Sequence, residues 1–273
     1  MNLLNTTSMF LLKRWYLLLS VILFSSCNSV MEMIPLDIDK NLGEQFSYQI
    51  NESQSEYPFL DPEKNKEVYD YVENIKNQLI NSDKIKYKDQ FPYTVKIIQD
   101  DNTLNAFCVA GGYIYVYTGL IKYVDSESEL AGVLAHEIAH AENRHTVKQL
   151  AESYGTGVVI SLIFGSDYKE LVNVGQQLLS LKFSRGDEKE ADEYAVEYLY
   201  DTKYDPRGVG GFFKKLIKEE KDHNEIPDFL STHPASQDRI DDINTKWEEM
   251  GSKEGDTGTE KHKEIVKLLT TKN

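Results

Sequence analysis

Residues 136–140 read His-Glu-Ile-Ala-His, and no other stretch constrains the fold of this chain as strongly. They sit inside a helical pattern that Ser126 opens, with Glu129 three residues later in the arrangement of a capping box. On a helix of about 3.6 residues per turn, His136 and His140 lie about 40° apart in projection and about 6 Å apart along the axis. Both imidazoles can then reach one tetrahedral Zn²⁺ at about 2.0 Å, with Glu137 placed to hydrogen-bond a water in the metal's open position. Two histidines do not complete such a site. A third protein ligand must come from elsewhere in the chain.

The N-terminus reads as an export signal rather than as part of the fold. Lys13 and Arg14 precede an apolar run over 15–24, which suits a secretory signal and is too short to span a bilayer of about 30 Å. The run ends Phe24-Ser25-Ser26-Cys27. Small residues before a cysteine look like a bacterial lipoprotein processing site, at which residues 1–26 would be removed and Cys27 acylated. An ordinary signal peptide and a short uncleaved anchor are the alternatives. Residues 1–26 contain Lys13 and Arg14 and no acid, so their loss makes a chain of net charge −15 more acidic still. That balance argues against nucleic acid and against electrostatic attraction to anionic lipid. With Cys27 acylated, Cys108 is the remaining cysteine and reads as a buried thiol without a disulfide. About 245 residues remain, enough for one sizeable core.

Along the chain, Ile38, Leu42, Phe46 and Ile50 recur every four residues and predict a first helix. Asp61 as a cap and Pro62 at the first helical position predict a second, with Val68, Tyr71, Val72, Ile75 and Leu79 as its apolar stripe. A strand over 93–98 follows, then Ala106–Val109 and Tyr113–Tyr117 as a hairpin around Ala110-Gly111-Gly112. Helical patterning then runs from the motif to about residue 152 and through segments near 167–183, 187–200, 206–221, 235–250 and 260–270. The apolar stretch 157–165 is too short for a membrane span and reads as a buried turn of helix. Residues 251–259 are rich in glycine and charge and predict a surface linker before a short terminal helix. The reading is a mostly helical α+β protein, divided into a signal peptide over 1–26, a metal-binding domain over 27–250, and a linker with a C-terminal helix over 251–273.

Glu188 is the best candidate for the missing ligand. It lies in Ser184-Arg185-Gly186-Asp187-Glu188-Lys189-Glu190-Ala191-Asp192, with Asp192 one turn further along the same face. That spacing lets Glu188 bind the metal while Asp192 accepts the Nδ1–H of a ligand histidine and fixes its tautomer. By composition alone, Asp187, Glu188, Glu190, Asp192 and Glu193 equally describe a solvated acidic face.

Several features taken together resemble the HtpX and CAAX prenyl endopeptidase family of metallopeptidases. They are His-Glu-Ile-Ala-His with Arg144-His145 behind it, Ser-Arg-x-x-Glu-x-x-Ala-Asp at 184–192, Asn105-Ala106-Phe107 and Gly-Gly-Tyr-Ile-Tyr-Val upstream, and Ser231-Thr232-His233-Pro234 downstream. The resemblance covers roughly residues 37–250. It shows neither the several membrane spans of the integral-membrane members nor a C-terminal repeat domain like that of the periplasmic assembly-enhancing protease, and is strongest to the small outer-membrane lipoprotein members. It implies a gluzincin-like domain with a small antiparallel sheet beside the motif helix, and one Zn²⁺ held by His136, His140 and Glu188. It also implies that His233 approaches the metal as a plug or fourth ligand, inhibitory at rest, and that Arg239 lies near the reaction centre and helps stabilise an oxyanion.

The other histidines carry plainer expectations. His145 falls about 140° beyond His140 on a continuous helix, so it is expected to pack or hydrogen-bond nearby rather than to bind metal. His223 and His262 have no sequence partners and are expected at the surface. The strand Tyr113–Tyr117 alternates tyrosines with Ile114 and Val116, as a half-buried strand does. In zinc proteases of this design, an edge strand beside the motif helix also pairs with the extended substrate backbone.

These parts describe peptide hydrolysis by metal-activated water, with Glu137 as general base and then acid and with no acyl-enzyme. The implied substrates are misfolded envelope proteins, and the implied place is a lipid anchor in the bacterial outer membrane facing the periplasm. The rival is a zinc-stabilised chaperone or assembly factor, although a purely structural zinc site would not need Glu137. A surface adhesin or nutrient-binding lipoprotein would leave the constellation unexplained.

Overall fold

The helix that carries the motif is the one on which the others are built. The computed structural model describes residues 34–157 and 182–271 apart from 224–227, together with Met31, Val159 and Ser161. Its helices are α1 (Asp37–Glu52), α2 (Lys66–Ile80), α3 (Thr118–Tyr123), α4 (Glu127–Glu142), α5 (His145–Tyr154), α6 (Arg185–Tyr200), α7 (Gly208–His223), α8 (Asp228–Thr232), α9 (Gln237–Glu249) and α10 (Thr259–Thr271). Its strands are β1 (Thr94–Ile98), β2 (Ala106–Val109) and β3 (Tyr113–Tyr117). The Ser126 hydroxyl accepts the Glu129 N–H at 3.1 Å, while the Glu129 carboxylate takes the Asp125 N–H, one residue before the position a capping box would use. Every residue of α4 except Glu129 is buried. Burial on all sides places this helix inside the protein, where α6, α7, α2 and β2 enclose it.

The crossing of α4 with α7 is made backbone to backbone. A Cβ on Gly132 would stand 2.1 Å from the Val209 nitrogen, and one on Gly208 would stand 1.9 Å from the Ser128 carbonyl oxygen. Only glycine fits at these positions.

The predicted hairpin forms, and the sheet has the order β1-β3-β2, with β2 antiparallel and β1 parallel to β3. Gly111 and Gly112 make its turn at φ +79° and +84°. The strand expected to offer its edge to substrate, Tyr113–Tyr117, is therefore central, and the edge beside α4 belongs to β2. Nor is β3 half-buried. Helix α1 covers its tyrosine face, with Phe46 edge-on to both Tyr115 and Phe107 and the latter two stacked at 4.8 Å. The stripe Ile38, Leu42, Phe46 and Ile50 faces inward as predicted.

Two boundaries and one surface expectation differ from the sequence reading, each for a local reason. Helix α2 starts at Lys66, because the Asp61 carboxylate takes the N–H groups of Glu63 and Lys64, and its carbonyl takes that of Asn65, closing a separate turn first. The helix expected to run to about 152 is two helices. Arg144 adopts a left-handed conformation at φ +57° between α4 and α5. Finally, the stretch 251–259 is pinned by bonds from Asp256 N–H to Lys203 O and from Ser128 N–H to Thr257 O. This lays α10 against α2, α3 and α4. Its inward stripe is His262, Ile265 and Leu269, so His262, expected at the surface, is 1% exposed, with its Nδ1 2.8 Å from the Tyr71 hydroxyl. Cys108 is buried and unpaired with sulfur, as expected.

Residues 1–26 and Cys27, residues 167–181 of the helix expected near 167–183 and most of the apolar stretch 157–165 lie outside the described residues, as does the side chain of His223, while residues 182–184 are described and are not helical. Among the described residues, no helix is long and apolar enough to cross a membrane.

Candidate metal centre

Helix α6 brings the third ligand. Ser184 and Asp187 form a reciprocal capping box at its start, and the residues one turn apart behind it, Glu188 and Asp192, both face α4. Four side chains then converge: His136 and His140 from α4, Glu188 from α6, and His233 from the turn after α8. His136 Nε2 lies 3.0 Å from His140 Nε2 and 3.4 Å from His233 Nδ1. Glu188 Oε1 lies 2.9 Å from His233 Nδ1 and 3.6 Å from His140 Nε2, and its Oε2 lies 3.5 Å from His136 Nε2. All four residues are buried.

A cation fits this arrangement. Arms of about 2.0–2.1 Å in a tetrahedron place neighbouring ligand atoms about 3.3 Å apart, close to the spacings found. Imidazole lone pairs facing one another at such distances repel unless a positive charge lies between them. Glu188 Oε2 is met by the Arg239 guanidinium at 2.7 Å, so the demand for a cation lies with the facing imidazole nitrogens of His136, His140 and His233. The four residues thus form a cluster suited to a single Zn²⁺.

The electrostatics agree with this role. Burial pushes the His136 imidazole down, but the carboxylates of Asp192 and Glu188 outweigh it and raise its pKa to about 9. Burial would push Glu188 up, and His233 with His136 hold it well below the usual carboxylate range. Burial, helped by neighbouring His136, lowers His140 strongly. Asp192 Oδ1 stands 2.9 Å from His136 Nδ1, where it fixes the ring that presents Nε2 to the cluster.

Glu137 turns away from the ligands towards the sheet. Its Oε2 accepts the Cys108 N–H of β2 at 3.1 Å, and its Oε1, 3.5 Å from His233 Nε2, has no hydrogen bond among the described residues. Burial raises its pKa. Glu137 and His233 line a cleft of about 260 Å³ together with Tyr57, Asn105, Phe107, Tyr117 and Phe183.

Arg239 lies behind the ligands. Its Nε and Nη2 donate to the two Asp192 oxygens at 2.7 and 2.8 Å, and its Nη1 donates to Pro234 O at 2.9 Å and stands 2.7 Å from Glu188 Oε2. With its guanidinium committed in this way, Arg239 buttresses Asp192 and Glu188, a different duty from the oxyanion contact the sequence suggested. One contact escaped the sequence reading, that of Phe183, which stacks on His140 at 4.0 Å, while His145 makes a nearby hydrogen bond to the same ring, as expected. Phe183 gave no signal, whereas the Asn143-Arg144 pair held a usable one for the helix break, since asparagine often precedes or occupies a break of helical hand.

A helix bearing two histidines and a glutamate, completed by a glutamate from a second helix and flanked by a small sheet, defines a gluzincin-like metallopeptidase fold. The chain belongs to peptidase family M48, whose sequence profile matches residues 66–246. It is 32% identical over 186 residues to the putative beta-barrel assembly-enhancing protease of Vibrio cholerae, covering 63% of this chain and 38% of that one. It is 30% identical over 189 residues to the metalloprotease LoiP of Escherichia coli, covering 67% and 70%. It is also 34% identical over 144 residues to the mitochondrial metalloendopeptidase OMA1 of Arabidopsis thaliana, covering 52% and 29%. The chain spans about two fifths of the length of the beta-barrel assembly-enhancing proteases of Vibrio cholerae and Yersinia pestis.

Proposed function

We propose that this protein is a zinc-dependent endopeptidase that cuts misfolded or misassembled envelope proteins. The observation that carries the reading is Glu137. Beside a complete ligand set, it keeps one carboxylate oxygen without a hydrogen bond among the described residues at the cleft and has the other fixed by the sheet edge. A structural zinc site has no use for such a group.

Zinc bound by His136, His140 and Glu188 supplies Lewis acidity for activating water and polarising a carbonyl. Glu137 takes the proton of the attacking water and returns it to the leaving amine, and its raised pKa suits both tasks. Asp192 and Arg239 keep the ligand side chains in place. Along β2 the backbone groups alternate in direction, and Asn105 and Val109 face β3. The backbone groups of Ala106 and Cys108 therefore point outward; the Cys108 N–H is held by Glu137, which leaves the Ala106 N–H and the two carbonyls for an extended peptide to pair with. The Asn105 side-chain oxygen, buried without a partner among the described residues at the same cleft, offers an acceptor for a substrate N–H.

His233 gates the site. With its Nδ1 among the ligand atoms and its Nε2 towards Glu137, it fills the position that water and substrate need. This closed set favours a second reading, a zinc-stabilised chaperone or assembly factor with gated proteolysis. Within the family, the leader ending at Cys27 supports a small lipoprotein of the HtpX type, anchored in the outer membrane and facing the periplasm.

The test is digestion of casein by the form starting at residue 28 and loaded with one zinc, beside Glu137→Gln and a chelator control. Cleavage absent in both controls supports the endopeptidase. Stoichiometric zinc without cleavage in the parent and in His233→Ala would replace it with the binding-protein reading.

A further inference from the structure

His145 lies outside the ligand set, yet its ring is in contact with that of His140. The two Nδ1 atoms are 2.8 Å apart and both residues are buried. On the far side of the ring, His145 Nε2 lies 3.2 Å from Glu190 Oε2 and 3.7 Å from Asp187 Oδ1. One arrangement of protons satisfies every atom. A His140 that binds metal through Nε2 carries its proton on Nδ1. The acceptor within reach is His145 Nδ1, which must therefore hold a lone pair. The remaining His145 proton is then on Nε2, where it donates to Glu190. The reverse tautomers would put an N–H at the ligand cluster and a lone pair against a carboxylate.

We propose that His145 is a positioning residue for His140. The chain Glu190–His145–His140 gives the second ligand, through an intermediary, the anchorage that Asp192 gives His136 directly. This inference rests on the zinc reading above. The left-handed Arg144 makes it possible by returning His145 to the His140 ring, which a continuous helix would have turned about 140° away.

His145, Asp187 and Glu190 could also be taken for a second metal site, because their donor atoms lie within 4.8 Å of one another. Lys148 excludes this. Its ammonium holds Asp187 Oδ1 at 2.6 Å and already supplies the positive charge. The group is a hydrogen-bonded support for the first site.

The test measures zinc affinity of the full chain by competition with a chromogenic chelator, the visible spectrum of the Co²⁺-substituted form, and thermal unfolding of the metal-free form. His145→Phe leaves the His140 N–H without an acceptor, and is expected to weaken zinc binding about 10- to 100-fold and shift the cobalt bands. His145→Gln, whose amide can accept from His140 and donate to Glu190, is expected to recover most of the loss. A folded His145→Phe with affinity within about twofold of the parent and unchanged bands overturns the relay. Should that variant fail to fold, Glu190→Leu decides, because this side chain is half exposed and leucine removes the acceptor of the His145 Nε2–H. A threefold or greater loss of zinc affinity at unchanged metal-free stability supports the relay, and unchanged affinity overturns it. A parent chain that binds no zinc overturns the metal reading itself, a result distinct from any of these.

Discussion

Replacing Arg144 with methionine tests how the motif helix is tied to the N-terminal part of the fold. Arg144 donates from Nη1 to the carbonyls of Met31 and Ile34, from Nη2 to that of Pro35, and from Nε and Nη2 to Asp39 Oδ2 at 3.0 and 2.6 Å. Asp39 is fully buried, and its Oδ1 has no partner among the described residues. Burial accordingly lifts its carboxyl to about 6, against the pull of Arg144. A raised carboxyl pKa means that the folded state binds more protons than the unfolded one between the ordinary value and the raised one. The Asp39 contribution therefore weakens stability as pH climbs through that window. Without Arg144, Asp39 stays protonated to higher pH still. Leaving this carboxyl unpaired costs about 3–5 kcal/mol at pH 7.5. Because the parent Asp39 gains its own proton near pH 6, the cost shrinks by about 2 kcal/mol at pH 5.5. Urea denaturation of parent and variant at the two pH values, at fixed metal loading, measures both numbers. In an Asp39→Asn background the pH dependence of the Arg144→Met loss should vanish. A loss under about 1 kcal/mol at pH 7.5, or an equal loss at both pH values, would refute the account.

Glu137→Gln should retain one zinc per chain and lose turnover by about 10²- to 10⁴-fold, read by metal titration beside a casein assay; full turnover removes the general-base assignment. His233→Ala should keep zinc on three ligands and raise basal cleavage, and a fall in activity would show that His233 serves the reaction instead of restraining it. Gly132→Ala places a methyl against the Val209 nitrogen, so despite alanine's better helix propensity it should lower stability by more than about 2 kcal/mol in urea denaturation.

Much of the site was legible because metal chemistry and helix periodicity share a spacing. His136, Glu137 and His140 fall within one turn and could be read from spacing; Glu188 and Asp192 repeat that interval, but among the neighbouring acids it was the family resemblance that singled out Glu188. The hairpin was legible from its two glycines, and the first helix from a stripe repeated every four residues. What escaped depended on contacts distant in the chain or on a single backbone angle. Nothing near His262 announces Tyr71 as its partner, and only the pinning of 251–259 turns that helix face inward. Which strand forms the sheet edge depends on β1 choosing β3, a pairing that alternation within one strand does not encode. The role of His145 was hidden by the assumption of an unbroken helix, and one residue of opposite hand reverses the geometry.

The ligand atoms come from residues 136, 140, 188 and 233, held on segments far apart along the chain. In the unfolded chain no more than two of them are neighbours, so the metal recognises the finished tertiary structure and little before it. Binding of that kind draws the folding equilibrium towards the native state, by about 4 kcal/mol when free zinc stands a thousandfold above its dissociation constant. Metal capture is thus a late event in the life of each molecule. On the proposed endopeptidase reading, a half-folded copy that holds two ligands and lacks the docked α6 would have no means of cutting the chains around it.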